Sequence, residues 1–485
     1  MSGSTVVARS QGVALRRGLT LVLMDLVLPG SAQLSAGNRG LGKAALRVWG
    51  ALVVLVLAAV AAFFANRQFL IGLYTNPATL LVLAWGVVAL GAGWILLLLD
   101  AWRIANPGMS GPGRVLSGAL ALALAVVLGA ATWNAHAFFG AQVKFIGQVF
   151  QGGGETEAIA GRYNILLLGG DAGADRVGMR PDSMTVASID ARTGRTVLFS
   201  LPRNLQKAPF PADSPLHKLY PNGFYCPEKP LEEACLLNGI NTLAEDNKSL
   251  FKGVKHPGVI ATRDSIEEIL GIQINYWAMI DLKGFQKLID AVGGITLDIG
   301  KRIPIGSSNG PKGVYGYIEP GKNVHLDGFH ALWFARSRQG SNDYERMVRQ
   351  KCVMNAMVKQ LDPMTVYTKF TAIADAASDV VATDLPADQL GVMADLALKV
   401  RGQAMKSVSF VPPLIEPADP DFDKIRQTVS DAIAASEALD DATPSASASA
   451  SASKSAKSSK SASAKASASP SSQEEDLDSV CAVSK

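Results

Sequence analysis

The chain has 485 residues, too many for one average domain, so at least two regions are expected. It is 48% hydrophobic, and that content is concentrated before residue 140. A formal net charge of +4 is small for this length and gives no support for nucleic-acid binding.

Residues 1–46 read as a cytoplasmic N-terminal segment. An apolar stretch at 18–35 carries Asp25 and Pro29, so it is expected to lie in the interface or re-enter rather than cross a bilayer. It lacks a convincing small-residue cleavage site, and a removable signal peptide is not expected. Three stretches without fixed charge follow, at 48–65, 79–99 and 116–140. A hydrocarbon core of roughly 30 Å takes about 20 apolar residues as helix, which these lengths fit. Basic residues favour the N-terminus (Arg9, Arg16, Arg17, Arg39, Lys43, Arg47) and the second loop (Arg103, Arg114), whereas the first loop has only Arg67. The positive-inside rule then places everything after residue 140 outside the cytoplasm. The expected organisation is a transmembrane region at 47–140, a linker at 141–160, an extracytoplasmic globular domain at 161–430 and a disordered Ser/Ala/Lys-rich tail at 431–485.

Within the domain, residues 164–168 form a short apolar run ending in Gly-Gly, a buried-strand signal. Residues 184–189 and 196–201 read as strands joined by a turn, hence a hairpin. Residues 264–270 read as helix and 274–280 as strand. Phe285, Leu288, Ile289 and Val292 share one helix face, Gly293-Gly294 stops that helix, and 295–299 returns as a strand. A turn at 326–328 opens another helix, and a longer one is expected from Asp343 to Leu361. Strands interleaved with helices point to a layered α/β fold.

Cys226, Cys235, Cys352 and Cys481 all follow the apolar region. An even count in an oxidising space fits disulfides, with Cys226 and Cys235 the closer pair. Cys352 and Cys481 are either the second pair, by elimination, or free buried thiols.

Two charged clusters stand out. Asp171 follows the first strand, Arg180 and Asp182 open the next, and Arg203 follows Ser200-Leu201-Pro202. Further on come Arg336, Arg338, Asp343, Arg346, Arg349 and Gln350. Carboxylates at neighbouring strand ends can hold Mg²⁺ together with phosphate oxygens, but such carboxylates are also common in turns. Guanidinium forks suit phosphate or pyrophosphate, but scattered arginines more often form surface ion pairs. Asp343, Arg346 and Gln350 line one helix face, either a solvated stripe or the wall of a site. Asn342 reads as the cap of that helix, with Glu345 completing a capping box. Gly-x-Ser-x-Gly, Walker and His-Glu-x-x-His motifs are absent from the sequence, and the histidines lack metal-ligand spacing.

Four blocks carry a resemblance: NILLLGGDAGADRVGMRPDSMTVASID, TVLFSLPRN, YWAMIDLKGFQKLIDAVGGITLDI and HLDGFHALWFARSRQGSNDYERMVRQ. In this order they resemble the LytR-CpsA-Psr family of bacterial cell-envelope phosphotransferases, and the anchor and tail are similar to actinobacterial members. The resemblance implies a membrane-anchored three-layer α-β-α sandwich with a mixed central sheet, preceded by transmembrane helices. It implies transfer of a glycopolymer from a polyprenyl-pyrophosphate carrier to peptidoglycan, with membrane lipid but no nucleic acid as a further partner. By that resemblance Asp171 and Asp182 hold Mg²⁺, with Mn²⁺ as the alternative ion. Arg180, Arg203, Arg336, Arg338, Gln350 and Lys218 bind the pyrophosphate, and Asp343 acts as base beside Arg346, with Arg180 also at the reaction. The chain departs from the family at Asn204, where an acid is common, and in the segment 220–226. A prenyl chain would need an apolar groove, for which residues 165–168, Met184, Val186, Phe199, Phe285, Leu288 and Met347 are candidates. Two other readings remain open here: a polyprenyl-pyrophosphate hydrolase, and a non-catalytic envelope regulator or attenuator.

Overall fold

A computed structural model describes residues 3–105, 111–150, 157–171, 180–226, 235–306, 313–360, 381–441 and 474–482, with a few positions between 361 and 380. The chain divides into two compact units, residues 1–150 with 387–395, and residues 151–386 with 396–485.

The first unit is helical: α1 (Gly3–Val27), α2 (Ser31–Ala36), α3 (Arg39–Ala65), α4 (Arg67–Thr75), α5 (Pro77–Ala105) and α6 (Gly111–Val149). Among the described residues three helices, α3, α5 and α6, are long and apolar enough to cross a membrane. They contain the three expected spans. The stretch 18–35 breaks between α1 and α2 at the residues that argued against a span. Gly30 there has φ +91°, and its N–H donates to Asp25 Oδ1 at 2.8 Å. Residues 141–149, expected as linker, continue α6, because neither Gly140 nor Gly147 breaks the helix.

The second unit contains, in order, β1 (Arg162–Asp171), β2 (Arg180–Asp190), β3 (Thr196–Leu201), α7 (Ile240–Asp246), α8 (Pro257–Leu270), β4 (Tyr276–Asp281) and α9 (Leu282–Val292). Next come β5 (Ile295–Ile299), β6 (Ile303–Gly306), β7 (Val314–Ile318), β8 (Gly321–Leu326), α10 (Gly328–Arg336) and α11 (Asp343–Gln360). The chain continues through β9 (Val381–Thr383), α12 (Leu390–Arg401, of which residues 390–395 group with the first unit), β10 (Lys406–Ser409), α13 (Phe422–Asp441), β11 (Glu475–Asp476) and α14 (Leu477–Val480). Seven strands form one sheet in the order β11-β10-β3-β2-β1-β4-β9. β1 runs antiparallel to β2 and parallel to β4, and β3 runs antiparallel to β2 and parallel to β10, so the sheet is mixed.

Strand alternation sorts the two faces. Leu166 and Leu168 of β1, Met184 and Val186 of β2 and Phe199 of β3 join Ile240, Ile266, Ile269, Ile425 and Val429 in the larger core, so α7, α8 and α13 form one layer. On the other face lie α9, α10 and α11, whose own core includes Ile289, Phe334 and Val353. That core also takes in Ile295, Ile303, Ile318 and Leu326 from two small sheets, β5-β8 and β6-β7. The three-layer α-β-α expectation holds.

The expected tail needs two corrections. Residues 431–441 belong to α13, where Ala432 and Ser436 are buried. Residues 474–482 return to the domain: β11 pairs with β10, Glu475 reaches Lys351, and Cys481 is bonded to Cys352. Cys226 and Cys235 form the other disulfide.

Candidate functional site

The end of β1 is set by Gly169-Gly170. The β1–β2 register shifts between them, and a bulge of this kind re-aims a strand end. A Cβ on Gly169 would meet the Ser183 Cβ at 3.2 Å, so the close approach of these strands favours glycine. Asp171 ends β1 in register with Arg180 of β2; its side chain lies outside the described ones. Two residues into β2, Asp182 faces the arginines. Arg203 emerges after β3 and donates through Nη1 to Asp182 Oδ1 at 2.9 Å.

The second cluster is built around the start of α11. Asn342 Oδ1 accepts from the Glu345 N–H at 2.8 Å, which caps the helix. The expected capping box is not completed, because the Glu345 carboxylate pairs with Lys301 at 3.1 Å instead. Asp343 Oδ1 lies 3.0 Å from Arg346 Nη2, 3.6 Å from Arg203 Nε and 3.6 Å from Arg338 Nε. Arg338 Nη2 also reaches Asp182 Oδ2 at 3.3 Å, and Arg346 Nη2 donates to the Asp182 carbonyl at 3.1 Å. The two distant sequence clusters therefore meet as one: Asp182 and Asp343 shared among Arg203, Arg338 and Arg346.

Arg346 is only 2% exposed. Burial pushes its guanidinium down to about 10, against the opposing pull of Asp343, so it remains charged at neutral pH. Its Nε is buried without a hydrogen-bond partner. Burial by itself would raise Asp182, but the charges of Arg203, Arg338 and Arg346 outweigh it and hold the carboxyl below the usual range.

Asp182 and the three arginines stand at a cavity of about 680 Å³ between β1 and β4 on one side and α9, α10 and α11 on the other; Asp343 is behind them and not in its lining. Asp182, Arg203, Arg336, Arg338, Arg346 and Gln350 line it at the polar end. Its apolar lining includes Leu167, Phe285, Leu288, Trp333, Met354 and Met357. Of the apolar candidates read from sequence, Leu167, Leu168, Phe285 and Leu288 are at the cavity. Met184, Val186 and Phe199 are not, because strand parity sends them into the opposite core. Met347 is buried outside the lining.

Arg336 and Arg338 diverge. Arg336 ends α10 and lies 5.2 Å over the Trp333 ring, whereas Arg338 engages both carboxylates. Arg180 at the start of β2 and Lys218 in the turn after β3 are exposed, and neither is in the cavity lining.

Two features escaped the sequence reading. Buried Arg349 donates from Nε to the Phe334 carbonyl at 2.7 Å and from Nη2 to the Ser337 carbonyl, and so fixes the segment that presents Arg336 and Arg338. The stripe Asp343, Arg346, Gln350 also continues through Val353 and Met357 on the same face of α11, changing from charged to apolar. Extending the i, i+3, i+7 spacing by two turns would have found it.

A layered α/β domain with an arginine-rich mouth over an apolar cavity defines a protein suited to an amphiphilic anion. The LytR_cpsA_psr family model matches residues 141–413, more than half of the chain, and the chain belongs to that family. Among its relatives is the "Polyisoprenyl-teichoic acid--peptidoglycan teichoic acid transferase TagU" of Oceanobacillus iheyensis, 28% identical over 250 residues, or 51% of this chain and 64% of that one. "Cell wall biosynthesis protein LcpA" of Corynebacterium glutamicum is 27% identical over 263 residues, or 49% of this chain and 48% of that one. The chain thus spans less than two thirds of either relative. The crystal structure of B. subtilis TagV is similar at 23% identity and a TM-score of 0.40, covering 56% of this chain and 96% of that one.

Proposed function

We propose that the chain is a membrane-anchored phosphotransferase that moves a glycopolymer from a polyprenyl-pyrophosphate carrier to peptidoglycan outside the cytoplasm. The observation that carries this reading is the graded face of α11. From Asp343 to Met357 it covers about 21 Å and passes from an ion cluster to an apolar wall. A ligand with a pyrophosphate head and a hydrocarbon tail matches both ends. Three guanidiniums against two carboxylates leave positive charge for phosphate oxygens, and such preorganised charge stabilises a transferring phosphoryl group.

Asp343 takes the proton of the acceptor hydroxyl, and Arg346, fixed beneath it, orients the carboxylate. Arg203, Arg336, Arg338 and Gln350 hold the pyrophosphate, while Arg180 and Lys218 serve as outer phosphate contacts. Asp171 and Asp182 are the residues that would hold Mg²⁺, or Mn²⁺, and the ion would offset charge on the phosphate oxygens. Among the described residues no group of three metal-ligating side chains is present, and phosphate oxygens would share the shell of a bound ion. That fits Mg²⁺, which commonly takes one or two carboxylates plus phosphate. Each Asp182 oxygen accepts one arginine and keeps further lone pairs. Three apolar helices supply the anchor, and pairing of all four cysteines supports an oxidising compartment.

The test is an assay of the full chain in detergent with a synthetic polyprenyl-pyrophosphate glycan and an uncross-linked peptidoglycan oligomer, with and without Mg²⁺. Transfer of the glycan phosphate to the oligomer is expected. Release of lipid monophosphate without an adduct would replace this reading with a hydrolase.

A further inference from the structure

The β6-β7 hairpin carries aromatic rings that neither the core nor the phosphate chemistry uses. Tyr315 and Tyr317 are two apart on β7 and share a face. They are 53% and 45% exposed, whereas Ile303, Ile305 and Ile318 of the same hairpin are buried.

The hairpin is tied to the site at two points. Ser337, between Arg336 and Arg338, donates from Oγ to the Pro304 carbonyl at 2.8 Å. Lys301 pairs with Glu345 in the turn of α11 that begins at Asp343. Tyr315 also packs edge-on against Trp333, a cavity residue, at 6.1 Å between centroids. One face of Tyr317 is covered by the Arg302 guanidinium at 3.8 Å, and Arg302 is itself held by Glu319 at 2.9 Å.

We propose that Tyr315 and Tyr317, with Arg302 bracing the second ring, form the platform that seats the sugar strand of the peptidoglycan acceptor. This rests on the phosphotransferase reading. The flat face of a pyranose presents C–H groups, which pack on the electron-rich face of an aromatic ring, while its hydroxyls stay at the rim where charged groups such as Arg302 can reach them. Direction selects the acceptor over the donor. The hairpin is tied beside the Arg336–Arg338 segment through Ser337 and to the first turn of α11 through Lys301, and its exposed rings lie on the outside of that tie, whereas the apolar lining continues inward along α11 to Met357. An acceptor hydroxyl must approach Asp343 from that outer side.

The experiment uses the full chain in detergent and its Tyr315→Ala and Tyr317→Ala variants, with Tyr225→Ala as an exposed-tyrosine control. Binding of an uncross-linked peptidoglycan oligomer is titrated separately from transfer. Both rings are exposed, so melting temperatures should match the wild type. Each variant is expected to raise the oligomer Kd and the acceptor KM about twofold to tenfold, with donor KM unchanged. Unchanged oligomer affinity, or a rise confined to donor KM, overturns the platform. Normal transfer by the wild type with no effect of either substitution removes the platform alone. Tyrosine-dependent oligomer binding without any transfer supports the platform and removes the phosphotransferase reading.

Discussion

Two buried cations on α11, five residues apart, settle their charge in opposite ways. Lys351 is 1% exposed, and its ammonium has an acceptor for each donor: Ser407 Oγ at 2.7 Å, Ser409 Oγ at 2.9 Å and Glu475 Oε2 at 3.3 Å. Arg346 sits among other guanidiniums, shares the Asp343 carboxylate with Arg203 and Arg338, donates to the Asp182 carbonyl, and keeps a buried Nε without a partner. A complete cluster is structural, since nothing further is required to offset its desolvation. An incomplete one that faces a cavity is completed by an anion. On the proposed function, the difference puts the chemistry at the start of the helix and the scaffold at its middle.

Substitutions can break this contrast. The largest effect is expected for Asp343→Asn, which removes the proposed base and should slow transfer about 10²- to 10⁴-fold while donor binding persists, read by single-turnover assay and lipid titration. Arg203→Ala should cost about 10²- to 10³-fold in kcat; a loss below tenfold would mean that the cluster does not stabilise the reacting phosphate. Cys481→Ser acts on the scaffold instead. It should lower unfolding free energy by about 2–5 kcal/mol in denaturant melts and leave transfer within threefold below the melting range.

Two smaller effects are read from pH. Burial lowers the Lys351 pKa, with Glu475 opposing, so the unfolded chain holds more protons than the fold between the lowered value and about 10.4. Stability from this group therefore rises with pH through that window, and Lys351→Met should flatten the rise in melting temperature without changing transfer. Asp182 moves stability in the same direction with pH, but in an acid window. Its lowered pKa gives stability that is present above about pH 4 and lost as pH falls through the folded value. Asp182→Asn should flatten that acid loss.

Much of this contrast was legible in the sequence at short range. Gly-Gly at 169–170, the Phe285–Val292 periodicity and the turn at 326–328 predicted β1, α9 and α10 close to where they lie. Asp343, Arg346 and Gln350 were seen to share a face, but spacing could not tell a solvated stripe from a wall. That depends on β2 and β3 bringing Asp182 and Arg203 across from α11. Which apolar candidates face the groove was not legible, because parity between strands decides it: Met184, Val186 and Phe199 belong to the opposite core. The return of residues 474–482 was hidden because its strand is two residues long and its partners are Lys351, Asn355 and Lys359, over a hundred positions earlier.

The Cys352–Cys481 bond spans 129 residues and encloses the whole Ser/Ala/Lys-rich run. In covalent terms that run is a closed ring and not a free end. A protease cutting after Lys454, Lys457, Lys460 or Lys465 would open the ring without releasing either part. Such a nicked molecule would migrate as one species until reduced and as two afterwards. Cleavage there would therefore leave β11 and Glu475 attached to α11.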